Sequence, residues 1–132
     1  MAQRMPMKYL MDTCALFALA DGSLSKRAAH AVESSPDVFV SLASLWEVAI
    51  KHATGKLSIS HKPLAWYERL VLRHELIELP MTRQNTVQAA ALPPLHKDPF
   101  DRLIIATAML HKLTIVTCDD KIIQYPKIKT LW

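Results

Sequence analysis

Apolar residues run without alternation through Lys8-Tyr9-Leu10-Met11 and stop at Asp12-Thr13. An unbroken apolar run of this length predicts a strand covered on both faces, as in the middle of a parallel sheet. Further short runs repeat the pattern at Val38-Phe39-Val40, Leu76-Ile77-Glu78-Leu79, Leu113-Thr114-Ile115-Val116-Thr117 and Ile128-Lys129-Thr130-Leu131. Between them the period lengthens to that of helices. Thr13–Ala20 is a compact helix former broken by Asp21-Gly22-Ser23, and Ser25 opens a second helix with Ala28, Ala29, Ala31 and Val32 on its dry side. A third helix is expected over about Leu45–Thr54, with Ser44-x-x-Glu47 as a capping box and Gly55 as its stop.

Pro63 starts an amphipathic helix through Trp66, Tyr67 and Leu70, and Thr82 caps another through Val87 and Ala89–Ala91. Lys56-Leu57-Ser58-Ile59 reads as a short extended or turn segment. Asp98 is a good N-cap with Pro99 at the first helical position. The helix that follows, Leu103–Leu110, is apolar nearly all round and should be buried on most sides. A short helical turn is expected near Lys121–Ile123. Strands alternating with helices predict a three-layer α/β domain around a mostly parallel sheet with right-handed crossovers.

Composition narrows the class. A chain of 132 residues, 51% apolar and with only 2 Gly, suits one ordered domain over residues 1–132 and excludes low complexity. The longest apolar runs are too short to span a bilayer, and Met1–Met7 is followed by no signal-peptide core. A cytoplasmic protein is therefore expected. The two cysteines, Cys14 and Cys118, have no zinc-type spacing and are expected as buried free thiols. The net charge of +4 is compatible with a nucleic-acid partner and does not establish one. There is no P-loop and no GxGxxG, which argues against a nucleotide cofactor.

The candidate chemistry lies in four acids. Asp12 and Asp119 follow strands, and Glu47 and Asp101 fall in first turns of expected helices. In a parallel sheet these positions share one edge, where ligands bind. Clustered carboxylates need a counter-ion, and a hard divalent cation such as Mg²⁺ takes oxygen ligands. Each acid also has an ordinary reading as a cap or turn residue, with Asp98 and Asp120 as neighbouring alternatives. Asp12 is the hardest to dismiss, because a lone carboxylate at the end of a central buried strand would be expensive. Beside the acids, Lys51, Lys97 and Arg102 are candidate contacts for a phosphate backbone. His96 and Lys97 read more simply as solvated loop residues. Trp46, Trp66 and Trp132 read as core or interface residues.

Taken together, Leu10-Met11-Asp12-Thr13, Ser44-Leu45-Trp46-Glu47 with Lys51 and Gly55-Lys56-Leu57, Asp98-Pro99-Phe100-Asp101-Arg102-Leu103-Ile104-Ile105-Ala106, and Val116-Thr117-Cys118-Asp119 resemble the PIN-domain signature. The likeness extends over essentially the whole chain, and Asp-Pro-Phe-Asp-Arg is its most specific piece. The nearest group is the VapC-like toxins of bacterial toxin–antitoxin pairs. The resemblance implies a ribonuclease dependent on Mg²⁺ or Mn²⁺, on a parallel sheet of strand order 3-2-1-4-5. It places the acidic site on Asp12, Glu47, Asp101 and Asp119, preferring Asp101 to Asp98 and Asp119 to Asp120. It further implies RNA as substrate, a homodimer, and a VapB-type antitoxin as partner. Two other readings compete. A phosphatase of the haloacid dehalogenase type wants a second Asp where Cys14 stands. A non-catalytic nucleic-acid or partner-binding module would keep the fold without the chemistry.

Overall fold

A computed structural model describes residues 7–132, so the expectation that no signal peptide leads the chain falls largely outside the described residues. The elements in order are β1 (Tyr9–Met11), α1 (Thr13–Asp21), α2 (Lys26–Ser34), β2 (Val38–Ser41), α3 (Leu42–Ala53), α4 (Pro63–Arg73), β3 (Ile77–Leu79), α5 (Arg83–Ala91), α6 (Pro99–His111), β4 (Thr114–Val116), α7 (Asp120–Ile123) and β5 (Lys129–Leu131). All five strands pair in parallel, in the order β3-β2-β1-β4-β5. The expected α/β architecture and strand order are thus those observed.

The centre of the sheet is β1, with β2 and β4 on its two sides. Both Leu10 and Met11 are fully buried, which is why the run at Tyr9–Met11 does not alternate. Successive side chains face opposite ways. Met11 joins Leu16, Val40, Val48, Tyr67 and Leu70 in one cluster, while Leu10 joins Ile104, Ile105, Ile115 and Ile122 in the other. Helices cover both faces, and no helix among the described residues is long and apolar enough to cross a membrane.

Three local expectations change. The third helix begins a full turn earlier than Leu45, because Ser41, the last residue of β2, is its cap and accepts the Ala43 N–H at 3.1 Å. The capping box between Ser44 and Glu47 therefore does not form, and both side chains are free for other partners. The thiols of Cys14 and Cys118 are exposed rather than buried. Both stand just past strand ends, where the chain leaves the core. Of the tryptophans, Trp66 is core, whereas Trp46 is half exposed and packs edge-to-face with Phe100, with ring centroids 5.1 Å apart.

Candidate active site

The sheet register builds the site. Met11 lies level with Val40 on one side and Val116 on the other. One residue further on, the chain passes from strand to loop or helix at Asp12, Ser41 and Thr117. Asp12 is the N-cap of α1, and its Oδ1 accepts the Ala15 N–H at 2.7 Å. It is only 1% exposed. The Thr117 hydroxyl donates to the Asp12 carboxylate and accepts the Asp119 N–H at 3.0 Å. One hydroxyl therefore ties together two acids far apart in sequence. Burial pushes the Asp12 carboxyl up to about 6, the hydrogen bonds from Thr117 and Ala15 pull it back, and the charges of Asp119 and Glu47 add to the rise.

Glu47 comes from the second turn of α3 and is buried. Its Oε1 accepts the Thr13 hydroxyl at 2.7 Å, and that hydroxyl also lies 3.0 Å from Ser44 Oγ. Its Oε2 lies 2.5 Å from the Lys51 ammonium, one helical turn on. This bond raises the Lys51 pKa. Lys51, expected as a substrate contact, is thus already paired to the acid site, with about half its side chain open to solvent.

Asp98 acts as the cap of α6, accepting the N–H groups of Phe100 and Asp101 on one oxygen. Asp101 turns inward, and its Oδ2 lies 2.7 Å from His96 Nε2. Burial and the Asp98 charge push the Asp101 carboxyl up to about 7, against the hydrogen bond from His96, and the Glu47 charge adds to the rise. Asp119 caps α7 through the Lys121 N–H at 2.9 Å, and its second oxygen lies 3.8 Å from His96 Nε2. Asp120 is exposed on the outside of α7.

The structure therefore gathers all four expected acids at the carboxyl rim of the sheet, linked by Thr13 and Thr117 and by the repulsion that helps raise the Asp12 and Asp101 carboxyls. Ligand atoms of His96, Asp101 and Asp119 lie within 4.8 Å of one another. The exposed Cys14 thiol senses the same cluster: partial desolvation first, then the charges of Asp12 and Asp101, push it up to about 12. At that value it is not a nucleophile at neutral pH.

Two expectations fail here. His96 is no solvated loop residue: it is 8% exposed and sits among the acids. Arg102 is not free for substrate. Its guanidinium donates to the carbonyls of Ala89 (2.8 Å), Leu92 (2.9 Å), Pro93 and His96 (both 3.1 Å), fastening the end of α5 and the following loop to α6. Tyr125 shares the task, since its hydroxyl accepts the His96 N–H at 2.9 Å and donates to Pro93 O at 2.8 Å. The backbone of His96 is thus held by Arg102, six residues on, and by the distant Tyr125, and no local pattern announces the second contact. Its place two residues ahead of the Asp98 cap was the only hint. Lys97 is exposed.

Arg102→Ala would strand several carbonyls at once. We expect a loss of about 3 kcal/mol of folding stability, the scale of losing charge-assisted hydrogen bonds to partly buried groups. Urea unfolding measures it, and a variant within experimental error of wild type would refute the clamp.

Four carboxylates, two of them almost wholly buried, with Lys51 as the only ammonium bonded to any of them among the described residues, make an oxygen-rich donor set. Such a set fits a hard divalent cation. Fold and site together define an α/β domain of the acid-rimmed, parallel-sheet type. A family model for the PIN domain matches residues 9–128, and the chain belongs to the PIN-domain family. It is similar to Ribonuclease VapC22 of Mycobacterium tuberculosis, at 30% identity over 112 residues, covering 83% of this chain and 85% of that protein. Among solved structures it resembles VapBC2 from Rickettsia felis bound to a promoter DNA fragment, with a TM-score of 0.70 at 16% identity, covering 95% of this chain and 98% of the other. It also resembles a toxin–antitoxin complex from Klebsiella pneumoniae, with a TM-score of 0.65 at 22% identity, covering 94% and 96%. These two likenesses concern the fold.

Proposed function

We propose that the chain, as a single domain over residues 1–132, is a metal-dependent endoribonuclease and the toxin half of a toxin–antitoxin pair. The observation that carries this reading is the convergence of Asp12, Glu47, Asp101 and Asp119 on one rim. The names of the relatives point the same way. Asp12, Asp101 and Asp119 would hold Mg²⁺ or Mn²⁺, directly or through water, with Glu47 completing the set. When bound, such an ion lowers the pKa of water and neutralises charge on a phosphodiester.

The chain's own residues do the rest. The Ala15 N–H and the Thr117 hydroxyl orient Asp12. Thr13 and Lys51 hold Glu47 by its two oxygens, which sets it to orient an attacking water. The Lys51 ammonium keeps further N–H groups for a phosphate oxygen, and exposed Lys97 is a second candidate for the RNA backbone. Recognition of a single-stranded or looped RNA by shape suits an open rim. We propose further that the protein works in the cytoplasm as a homodimer and is restrained by a VapB-type antitoxin.

Two assays test the reading. Purified protein should cleave RNA with Mg²⁺ or Mn²⁺ and not in EDTA. Induction in a bacterial host should arrest growth, while induction of Asp101→Ala should not. RNA cleavage undiminished by chelation would reject the metal role. Equal growth in both strains would favour a non-catalytic binding module.

A further inference from the structure

We propose that His96 is a positioning residue of this site, whose Nε2–H holds the Asp101 carboxylate in the orientation that faces Asp119. The inference rests on the nuclease reading above and goes beyond its four acids.

The tautomer follows from the ring's two neighbours. The Asp98 N–H points at Nδ1, at 3.4 Å, so Nδ1 presents its lone pair. In a neutral imidazole the proton then sits on Nε2. That nitrogen lies 2.7 Å from Asp101 Oδ2 and 3.8 Å from Asp119 Oδ2. Only the first is a hydrogen-bond distance, so the donation goes to Asp101. A proton on Nε2 also occupies the lone pair that a cation would need. The ring therefore serves the carboxylate rather than acting as a nitrogen ligand, although the three ligand atoms stand close together.

The ring is held from behind. Tyr125 accepts the His96 N–H at 2.9 Å and Arg102 donates to the His96 carbonyl at 3.1 Å. Both backbone groups of one residue are thus fixed by side chains from elsewhere in the chain. Burial adds the second restraint. A ring so fixed has little freedom to release Asp101. The two bonds from the Phe100 and Asp101 N–H groups to Asp98 Oδ1 place the Asp101 backbone, and His96 places its carboxylate. Groups that orient metal-binding carboxylates from outside the ligand set commonly affect metal affinity by about 10–100-fold.

Two substitutions separate orientation from mere filling. In His96→Asn the side-chain oxygen can still take the Asp98 N–H, but the amide is too short to reach Asp101. In His96→Gln the amide nitrogen occupies the place of Nε2 and can donate. Mn²⁺ affinity is read from the free-ion signal by electron paramagnetic resonance. Single-turnover RNA cleavage and thermal melting are followed on the same full-length preparations. We expect His96→Asn to bind Mn²⁺ about 10–100-fold more weakly and to cleave correspondingly slowly. We expect His96→Gln to recover most of both, with melting temperatures close together. Wild-type affinity in His96→Asn would overturn the positioning role. So would equal impairment of the Gln and Asn variants, which would mark His96 as scaffold only. If wild type itself neither binds Mn²⁺ nor cleaves RNA, the nuclease reading fails first and takes this inference with it. An active wild type with an equally active His96→Asn removes the role of His96 alone.

Discussion

Asp12→Asn is expected to lower RNA cleavage by roughly 10³-fold or more, the several kcal/mol of charge stabilisation that a bound divalent ion supplies. The fold should survive intact. Asparagine is as good an N-cap as aspartate, so its side-chain oxygen can still accept the Ala15 N–H that Asp12 takes at 2.7 Å. The Thr117 hydroxyl can still donate to it. What disappears is the negative charge at the deepest of the four acids. The result to look for is a protein that melts no lower than wild type and still binds RNA, yet leaves it uncut. Cleavage near the wild-type rate would show that Asp12 has no part in the reaction.

A second large effect should appear in the metal-free protein as a function of pH. Burial raises the Asp12 carboxyl from 3.8 to about 6, and Asp101 from 3.8 to about 7. The folded chain therefore holds protons that the unfolded chain has already released. Stability from these groups is complete below the unfolded value near 3.8, and is lost as pH rises through about 6 and then about 7. For Asp12, two units correspond to about 3 kcal/mol. In EDTA, wild type should thus fall behind Asp12→Asn in stability between mildly acidic and neutral pH. The gap should be small in acid and largest above neutrality. Adding Mn²⁺ at neutral pH should close much of it, since a ligand at about 100 times its Kd adds about 2.7 kcal/mol. Urea unfolding of both proteins across the pH range measures this. A gap independent of pH would mean that burial does not weigh on Asp12.

Both effects arise because the protein keeps carboxylates where solvent would not. Much of that was legible along the chain. The apolar runs marked the strands, the cap residues Ser25, Thr82 and Asp98 marked three helix starts, and the family likeness supplied the strand order and the acids. The start of α3 differs from the sequence expectation because Ser41 and Ser44 are both plausible caps. The choice fell to Ser41 because β2 runs directly into the helix. That shift matters for the site, since it releases Glu47 from the capping box and leaves it to Thr13 and Lys51. Arg102 and His96 depart from their sequence reading for a different reason. A cation in a first turn and a histidine between prolines look solvated until Ala89, Leu92 and Tyr125 are brought against them.

The amino-acid order by itself determined the alternation of strands and helices, because burial on both faces and helix capping are written in neighbouring residues and in their spacing, while the strand order came with the family likeness. It also placed Asp12 and Asp119 after strands and Asp101 at a helix start, but not Glu47, which lies a turn deeper in α3 than expected. Tertiary structure alone decided which groups reach those acids across the fold: Thr117 beside Asp12, Thr13 on Glu47, and Tyr125 behind the His96 that meets Asp101. The Thr117, Thr13 and Tyr125 contacts join segments tens of residues apart, and the distances that set such hydrogen bonds and shift proton affinities exist only once the sheet has brought its strand ends side by side.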